Sequence, residues 1–404
     1  MEGKMNESRC PMSTGVRQEI LEMAHWLVEV RRDLHRHPEL KFKEERTARV
    51  IEEGLRGCGL EVRTGVGGTG VTGLWRGGKD GPVLAIRADM DALPIQEESG
   101  RPYGSLYTGV MHACGHDAHV TMALGAARYL AHRGAPLRGA VKFIFQPAEE
   151  GGGGGLKMIQ DGVLEAPRVD RVLALHVLPT IPPGSFGFTE GPAQASVDDF
   201  IIRLVGRGSH AAYPQRANNP ILAASRLIPA IHAMTNHSTE PAEALVVSVT
   251  RVEAGSAFNV IPERAELWGT LRALDETVRD EARGKIQRVA QEAAQGHGVR
   301  VEVEIRRGYP VLRSDPQVLS FAKEVARAQV GDGAVLQLPP SMGAEDFAYF
   351  LELCPGAYLK LGCGKSDGEE IPMLHTPQFD LDERILPVGV EFWVRCAEAF
   401  LGAS

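Results

Sequence analysis

Residues 112–119 read His-Ala-Cys-Gly-His-Asp-Ala-His, which places one thiol and three imidazole side chains within eight positions. Thiolate and imidazole are the donors from which proteins build sites for zinc and other transition metals. Cys114 and His116 are two residues apart, so in an extended or turning segment both side chains can point the same way. The octet therefore predicts a metal site, although it does not separate a structural metal from a catalytic one.

Two pairs of acidic residues follow apolar runs that are typical of buried strands. Asp89 and Asp91 come after the run 83–88, and Glu149 and Glu150 come after the run 141–145. Open α/β sheets bind their ligands at the carboxyl ends of strands, although each pair alone is also typical of a solvated turn. Because adjacent acids point in different directions, one of Glu149 and Glu150 can bind a metal while its neighbour reaches a metal-bound water. Metal-assisted hydrolysis needs this combination of a ligand and a general base.

Two single histidines complete the set of candidate donors. His176 ends an apolar strand, where a lone histidine is more often a core residue than a ligand, and His375 lies in a Pro-flanked loop and is ambiguous alone. Together with Cys114, His116 and Glu150 they are too many donors for one tetrahedral ion with an open position. Two ions that share a bridging ligand and a water would use them all. The sequence therefore predicts a dinuclear, hydrolytic metal centre.

The elements that must position these residues alternate between strand and helix. Hydrophobic periodicity predicts helices over 17–35, 45–55 and 118–132, and strands over 71–75, 83–88, 141–145 and 172–177. The Gly-Gly-Lys-Asp-Gly segment between the first two strands is typical of a hairpin or turn. This alternation indicates an α/β domain with a largely covered sheet.

A different order of elements between residues 192 and 307 predicts a second domain. A strand over 200–205, a helix from Asn219-Pro220, strands over 245–252 and 265–271, a helix capped by Asp275 and a strand over 299–305 give the order β-α-β-β-α-β. This is the ferredoxin-like arrangement. The first kind of pattern returns after about residue 308. We therefore expect an α/β catalytic domain of residues 1–191 and 308–404, with the smaller α+β domain of residues 192–307 inserted into it.

The bulk composition limits the classes of partner and compartment. The chain has 404 residues and a formal net charge of -8, which argues against nucleic acid as a partner. No apolar run approaches the roughly 20 residues that span a bilayer, so we expect no membrane partner. Six scattered cysteines and a polar N-terminus without a signal-like apolar region indicate a reducing cytoplasm. Residues 1–11 read as an extension, and Met12 is a candidate for the natural start.

With these motifs in place, the sequence resembles the M20 metallopeptidases. Within them it resembles the amidohydrolase subgroup of aminoacylases, hippurate hydrolases and plant auxin-conjugate hydrolases. The resemblance spans nearly the whole chain, from about Arg31 to Arg384, and it also rests on Gly208-Ser-His-Ala211 and Met342-Gly-Ala-Glu-Asp-Phe347. It implies that the inserted domain is a lid that also forms a homodimer.

The resemblance further implies roles for individual residues. The metal ligands would be Cys114, His116, Glu150, His176 and His375. Cys114 would be a bridging thiolate, where the peptidase branches have a bridging aspartate. Glu149 would be the general base, and Asp91 would orient a histidine ligand. The peptidase branches have a ligand histidine where this chain has Asp89, so the role of Asp89 is left open.

Three residues of the inserted domain are implied to act on the substrate. His210 would reach a neighbouring subunit's site and stabilise the oxyanion of the tetrahedral intermediate. Asn259 and Arg272 would contact the substrate carboxylate, for which the fork of an arginine is well suited. Without the resemblance, a loop histidine and a strand arginine are also ordinary surface residues.

We therefore expect a cytoplasmic, metal-dependent amidohydrolase that cleaves N-acyl amino acids to a carboxylic acid and a free amino acid. Two divalent ions (zinc, manganese, cobalt or nickel) would polarise the acyl carbonyl and activate a bridging water for Glu149. A carboxypeptidase, a dipeptidase or an N-acetyldiaminopimelate deacetylase is an alternative. A metal-binding or ligand-sensing protein on the same fold is an alternative from another class, and the complete set of base and ligands argues against it.

Overall fold

The computed structural model describes residues 15–133, 137–234, 244–364 and 372–402. These residues form two compact units. The larger contains the described residues of Met1–Gly191, Arg313–Pro339 and Tyr349–Ser404, and the smaller contains those of Pro192–Leu312 and Pro340–Ala348. Along the chain, the smaller unit is thus inserted into the larger one, and residues 308–312 and 340–348 group with it.

The strands of both units are numbered in chain order. They are β1 (Glu61–Val66), β2 (Gly70–Arg76), β3 (Lys79–Asp89), β4 (Arg138–Gln146), β5 (Arg171–Leu178), β6 (Phe186–Phe188), β7 (Pro192–Gln194), β8 (Ser196–Val205), β9 (Ser209–His210), β10 (Leu245–Ala254), β11 (Val260–Ile261), β12 (Arg264–Ala273), β13 (Arg300–Arg307), β14 (Leu312–Arg313), β15 (Val335–Gln337) and β16 (Gly356–Gly362).

The helices are numbered in the same way. They are α1 (Gln18–Leu21), α2 (Ala24–Arg36), α3 (Glu45–Gly57), α4 (His116–Arg133), α5 (Gly154–Gln160), α6 (Pro220–Ala233), α7 (Glu276–Gln295), α8 (Pro316–Val330), α9 (Ala348–Leu351) and α10 (Leu386–Gly402). Among the described residues, none of them combines the length and hydrophobicity needed to cross a bilayer.

The larger unit is built on a mixed sheet whose strands lie in the order β1-β2-β4-β3-β5-β16-β6-β15. The neighbours β4, β3, β5 and β16 run parallel, and they are the buried centre of the sheet. Because parallel strands end at the same edge, the residues that follow β3, β4, β5 and β16 come close together in space. The predicted α/β class is confirmed, and this edge is where its ligands belong.

The structure divides one predicted helix, adds one strand and decides between the two forms expected for the segment before β3. The segment between β2 and β3 is a turn but not a hairpin, because β4 lies between these strands and pairs with both. The helix predicted over 17–35 is divided into α1 and α2 by a turn at Glu22 and Met23. Strand β1 was not predicted, since it lies at the sheet edge with mostly exposed polar residues and lacks an apolar run.

The smaller unit contains a four-stranded antiparallel sheet in the order β10-β12-β8-β13, with α6 and α7 packed on it. This is the predicted ferredoxin-like fold. The side chain of Asp275 caps α7 by accepting the N–H groups of Thr277 and Val278, as expected from the sequence. Asn219 caps α6 in the same way by accepting the N–H of Ile221.

Helix α4, which begins at His116, packs against α2, α3 and α10. Its contact with α10 depends on the absence of a side chain at Gly125. A Cβ at this position would lie 2.6 Å from Cγ2 of Val390 and 2.8 Å from Cδ2 of Leu27. The position of α4, and therefore of the predicted ligands at its start, depends on this close approach.

We predict that Gly125→Ala lowers the free energy of unfolding by about 1–3 kcal/mol, because the added methyl overpacks the α4–α10 contact. Thermal or denaturant unfolding measures this change. Gly54→Ala in α3 is the matched control, since its nearest contact, Cδ2 of Leu124, is at an ordinary 3.4 Å. The free energy of unfolding of the control should rise by about 0.5–1 kcal/mol, because alanine has a higher helix propensity than glycine. Equal stabilisation of both variants would contradict the prediction.

Candidate metal centre

Segments at the carboxyl edge of the sheet supply all five predicted ligands. Glu150 follows β4, and His176 lies near the end of β5. His375 lies in the loop after β16, while Cys114 and His116 lie at the start of α4. The topology therefore brings together residues that are up to 261 positions apart in the chain.

The ligand atoms form two groups that share the sulfur of Cys114. In the first, which we call triad A, the donor atoms of Cys114, His116 and His176 lie within 4.8 Å of one another; in triad B, those of Cys114, Glu150 and His375 do so. The Sγ atom of Cys114 is 3.4 Å from Nε2 of His176 and 3.3 Å from Nε2 of His375. This is the arrangement that two cations with one bridging thiolate require.

The histidines of triad A are held in the tautomer that binds metals. Nδ1 of His116 donates to the carbonyl oxygen of Asp91 (2.9 Å), and Nδ1 of His176 donates to that of Val177 (2.7 Å). Each Nε2 therefore keeps its lone pair for the centre. Nε2 of His116 is buried and makes no hydrogen bond within the described residues. Because buried acceptors without a donor are costly, these residues fit a bound cation.

Protonation of the triads is coupled to cation binding. Burial raises the pKa of the Cys114 thiol to about 12, so a cation must displace the proton to gain the thiolate. Burial, together with the charge of Lys360, holds the pKa of His176 well below its ordinary value. His176 is therefore neutral, which is the form of imidazole that binds metals.

Two unusual backbone conformations shape the ligand loops. Gly115 has φ +84°, and a Cβ there would lie 2.5 Å from Cγ2 of Val177, so only glycine fits between Cys114 and His116. His375 has φ +64°, which is strained for a residue with a side chain. Its N–H donates to the carbonyl oxygen of Ala113 at 2.8 Å. This bond fixes the loop of triad B beside Cys114.

Asp91 contacts both sides of the centre. Besides its carbonyl bond to His116, its carboxylate oxygens accept the N–H groups of Glu149 (3.1 Å) and Glu150 (3.0 Å). The sequence predicted that Asp91 orients a histidine ligand, and that role stays a prediction. The bonds to the acidic pair were not anticipated. Glu149 itself is buried, and its carboxylate lies within 4.8 Å of the ligand atoms of His116 and Glu150.

Asp89, whose role the sequence left open, is paired with protein groups. Its carboxylate accepts from Arg87 (2.6 Å) and from Nδ1 of His119 (2.6 Å). Burial disfavours its charge, but His116, Arg87 and His119 outweigh burial and lower the pKa of Asp89 well below its usual range. Nε2 of His119 accepts the N–H of Val177. Both nitrogens of His119 are thus occupied, so the Asp89–His119 pair is not a third metal site.

The pair nevertheless supports triad A. The centroid of the His119 ring lies 4.6 Å from that of the His176 ring and 5.5 Å from that of the His116 ring. His119 was visible in the octet, but its role depends on Asp89, which lies thirty positions earlier. Spacing within the octet could not reveal this partner.

A buried ion network fixes the first turn of α4. Arg31 of α2 is fully buried and donates to Asp117 (2.8 Å) and Asp380 (2.9 Å), while His35 contacts Asp117 at 2.7 Å. Burial opposes the charge of Asp117, but Arg31 and His35 hold its pKa well below the ordinary range. Because Asp117 directly follows His116, this network fixes the backbone next to that candidate ligand.

The three predicted substrate-binding residues lie in the smaller unit. His210 is exposed in β9 and pairs with Val260 of β11, and the carbonyl oxygen of Asn259 accepts the N–H of Ala211 (2.9 Å). His210 and Asn259 are thus neighbours across a short ladder. Arg272 lies in β12 and donates to the carbonyl oxygen of Met342 (3.0 Å). Their roles toward a substrate stay predictions.

Comparisons with known proteins show which proteins this chain is similar to. The family model described as "Peptidase family M20/M25/M40" matches residues 85–399. N-acetylcysteine deacetylase of Bacillus subtilis is 40% identical over 372 residues, which cover 92% of this chain and 96% of that protein. Thermostable carboxypeptidase 2 of Saccharolobus solfataricus is 38% identical over 378 residues, covering 93% and 95%. A crystal structure of a Bacillus subtilis protein, described as a dinuclear metal-binding peptidase of the M20 family, has a TM-score of 0.82 and 36% identity, covering 95% of this chain and 100% of that one.

We predict that Cys114→Ala abolishes binding of both ions, because triads A and B share this sulfur. His375→Ala should retain one ion, since triad A stays intact. The measurement is metal content per chain after chelation and reloading with zinc. Cys396→Ala, which removes another buried thiol from α10, should still bind two ions. Two tightly held ions in Cys114→Ala would rule out the bridging role.

Proposed function

Because the chain belongs to peptidase family M20/M25/M40 and is a hydrolase of amide bonds, we propose that it removes the acyl group from N-acyl amino acids. The products are a carboxylic acid and a free amino acid. The observation that carries this proposal is the pair of triads sharing Cys114, with the buried carboxylate of Glu149 beside them. The identity shared with an N-acetylcysteine deacetylase supports an acylated amino acid as the substrate.

In this proposal the five clustered side chains would hold two divalent cations, and Cys114 would contribute to both sets of ligands. Zinc, manganese, cobalt and nickel all suit a mixed Cys/His/Glu site. When bound, the cations supply polarisation of the acyl carbonyl and lower the pKa of the attacking water. Asp91 orients His116 through its carbonyl oxygen and holds Glu150 through its carboxylate. His119 keeps His176 in place by ring packing.

Glu149 is the general base of the proposed reaction. Its carboxylate takes a proton from the water that attacks the acyl carbon, and it then gives the proton to the amide nitrogen as the C–N bond breaks. The transfer to nitrogen is required because an unprotonated amine anion is too basic to leave. Its N–H bond to Asp91 fixes the backbone at this position, so the carboxylate is already oriented before the substrate binds.

We assign the substrate-side roles to the smaller unit on the strength of the family resemblance. His210 donates to the developing oxyanion in a neighbouring subunit's site, and Asn259 and Arg272 bind the free carboxylate of the amino acid. These roles make residues 192–307 a lid and dimerisation domain. They also require a homodimer, which we propose as the active form in the cytoplasm.

The second candidate function is cleavage of peptides from their carboxyl end. The 38% identity to a thermostable carboxypeptidase favours it, and a peptide bond is itself an amide that the same groups can hydrolyse. An N-acetyldiaminopimelate deacetylase or a dipeptidase differs from the main proposal only in what is recognised around that bond. The non-catalytic alternative has less support, because the chain belongs to a family of hydrolases and keeps Glu149 beside a complete donor set.

We predict that Glu149→Gln lowers kcat on an N-acetyl amino acid by about 10²–10⁴-fold, because the amide cannot accept the proton of the water. Zinc content should stay at two ions per chain, since Glu149 belongs to neither triad. Glu352→Gln, an exposed position in the same unit, should behave as the native protein. A metal-loaded Glu149→Gln enzyme with native kcat would exclude the base assignment.

The substrate class is tested with matched compounds of one amino acid. We predict that kcat/KM for its N-acetyl and N-benzoyl forms exceeds that for an unblocked dipeptide ending in the same residue by about tenfold or more. Reloading the chelated protein with each of the four metals identifies the most active ion in the same assay. A preference for the dipeptide would favour the carboxypeptidase alternative.

A further inference from the structure

A buried carboxylate outside the triads holds the segment that carries Glu149. Glu44 lies immediately before α3, and its side chain is fully buried. Oε1 of Glu44 accepts the N–H of Ala148 at 2.9 Å, and Oε2 accepts the hydroxyl of Thr69 at 2.5 Å. Both oxygens are thus occupied by donors of the protein. Glu44 is therefore available neither as a ligand nor as a second base.

Glu44 and Asp91 together hold three consecutive peptide groups. The N–H of Ala148 donates to Glu44, and the N–H groups of Glu149 and Glu150 donate to the two carboxylate oxygens of Asp91. We call Glu44 and Asp91 the carboxylate clamp. All three N–H groups of this tripeptide are therefore bonded to side-chain oxygens, which restrains it more than a turn whose N–H groups bond to water. The two carboxylates come from segments that precede α3 and follow β3.

The clamp acts on a strained residue. Ala148 has φ +53°, in the left-handed region that residues with a side chain rarely adopt. Such a residue stays there only when its surroundings over-determine it. Close packing behind it contributes, since a Cβ at Gly152 would lie 2.6 Å from Cβ of Ala148. A hydrogen bond also restrains this conformation, because the N–H of Ala148 itself donates to Glu44.

We propose that Glu44 is a positioning residue for the reaction: by holding Ala148 in its left-handed conformation, it aims the carboxylate of Glu149 at the attacking water. The inference rests on the proposed role of Glu149 as the base. Glu44 contacts Ala148 and neither of the N–H groups that Asp91 holds. Loss of the Glu44 side chain should therefore change the direction of the Glu149 carboxylate. It should have a smaller effect on the position of the ligand Glu150 and on substrate binding.

The test compares Glu44→Ala and Glu44→Gln as metal-loaded, full-length protein. Glu44→Ala should lower kcat by about tenfold or more, because misplacing a catalytic group by about 1 Å costs up to about 10²-fold. KM and the zinc content of two ions per chain should stay near native values. Glu44→Gln should recover most of kcat, since its amide oxygen accepts from Ala148 and its NH₂ donates to Thr69. Hydrogen exchange at the Ala148 amide should be faster in Glu44→Ala than in the native protein.

Glu391→Gln is the matched control for lost stability. Glu391 lies on α10 and is also fully buried. It accepts hydrogen bonds from Arg17, which precedes α1, and from Arg395 of its own helix. This variant should unfold at a lower temperature but keep native kcat and native exchange at Ala148. If Glu44→Ala does not fold, Glu44→Asp decides the question. It keeps the charge but is too short to reach both partners, so kcat should fall several-fold at unchanged KM.

The outcomes separate this inference from the proposed function. An inactive Glu149→Gln enzyme together with native kcat in folded, metal-loaded Glu44→Ala overturns the positioning role and leaves the base assignment intact. Loss of zinc from Glu44→Ala, in proportion to its loss of activity, also overturns it, because the effect then lies in the metal centre. An active Glu149→Gln enzyme removes the premise, whatever Glu44→Ala shows.

Discussion

The hydrogen bonds of Asp91 join three segments of the chain: the residues after β3, the start of α4 and the residues after β4. Asp91 follows β3, its carbonyl oxygen binds His116 at the start of α4, and its carboxylate binds the N–H groups of Glu149 and Glu150 after β4. Hydrogen bonds to charged groups contribute roughly 1.5–3 kcal/mol each. The parallel sheet brings these segments to one edge, but it does not fix their loops to within the fraction of an ångström that a metal centre needs. The bonds of Asp91 supply that restraint, on which the proposed ligands and the proposed base both depend.

The buried polar groups around the centre fall into two sets. In the first set each charged side chain has a partner of the protein, and in the second set some donor atoms lack one within the described residues. Arg87 with Asp89, and Arg31 with Asp117, are buried pairs whose opposite charges offset much of the cost of leaving water. His119 likewise has both nitrogens bonded. In contrast, Nε2 of His116 has no hydrogen-bond partner within the described residues, and the candidate ligand atom of His116 lies within 4.8 Å of those of Cys114 and His176. The completed pairs therefore surround a set of candidate metal ligands in which Nε2 of His116 and Oε1 of Glu150 have no hydrogen-bond partner within the described residues.

The sequence predicted the parts of this structure that depend on local pattern. Hydrophobic runs located β3, β4 and β5, and the chemistry of the donors led to all five side chains that the fold brings together. The contributions of Asp89 and Glu44 could not be predicted in this way, because each depends on one partner that is distant in the chain. His119 is thirty positions from Asp89, and Ala148 is 104 positions from Glu44. Neither a lone acid before a helix nor an alanine in a loop carries a signal of such a bond.

Strained backbone occurs in the metal centre at two residues with side chains, Ala148 and His375, which precede the proposed base and form part of triad B. Glycine at either position would remove the strain, but it would also widen the range of conformations open to the loop. The chain instead keeps the side chains and holds each strained residue by its own N–H, with Glu44 as acceptor for Ala148 and Ala113 for His375. Stability is thus given up locally in return for a defined direction of the carboxylate and the imidazole. That exchange is favourable where a reaction requires the direction, as we propose for Glu149 and His375.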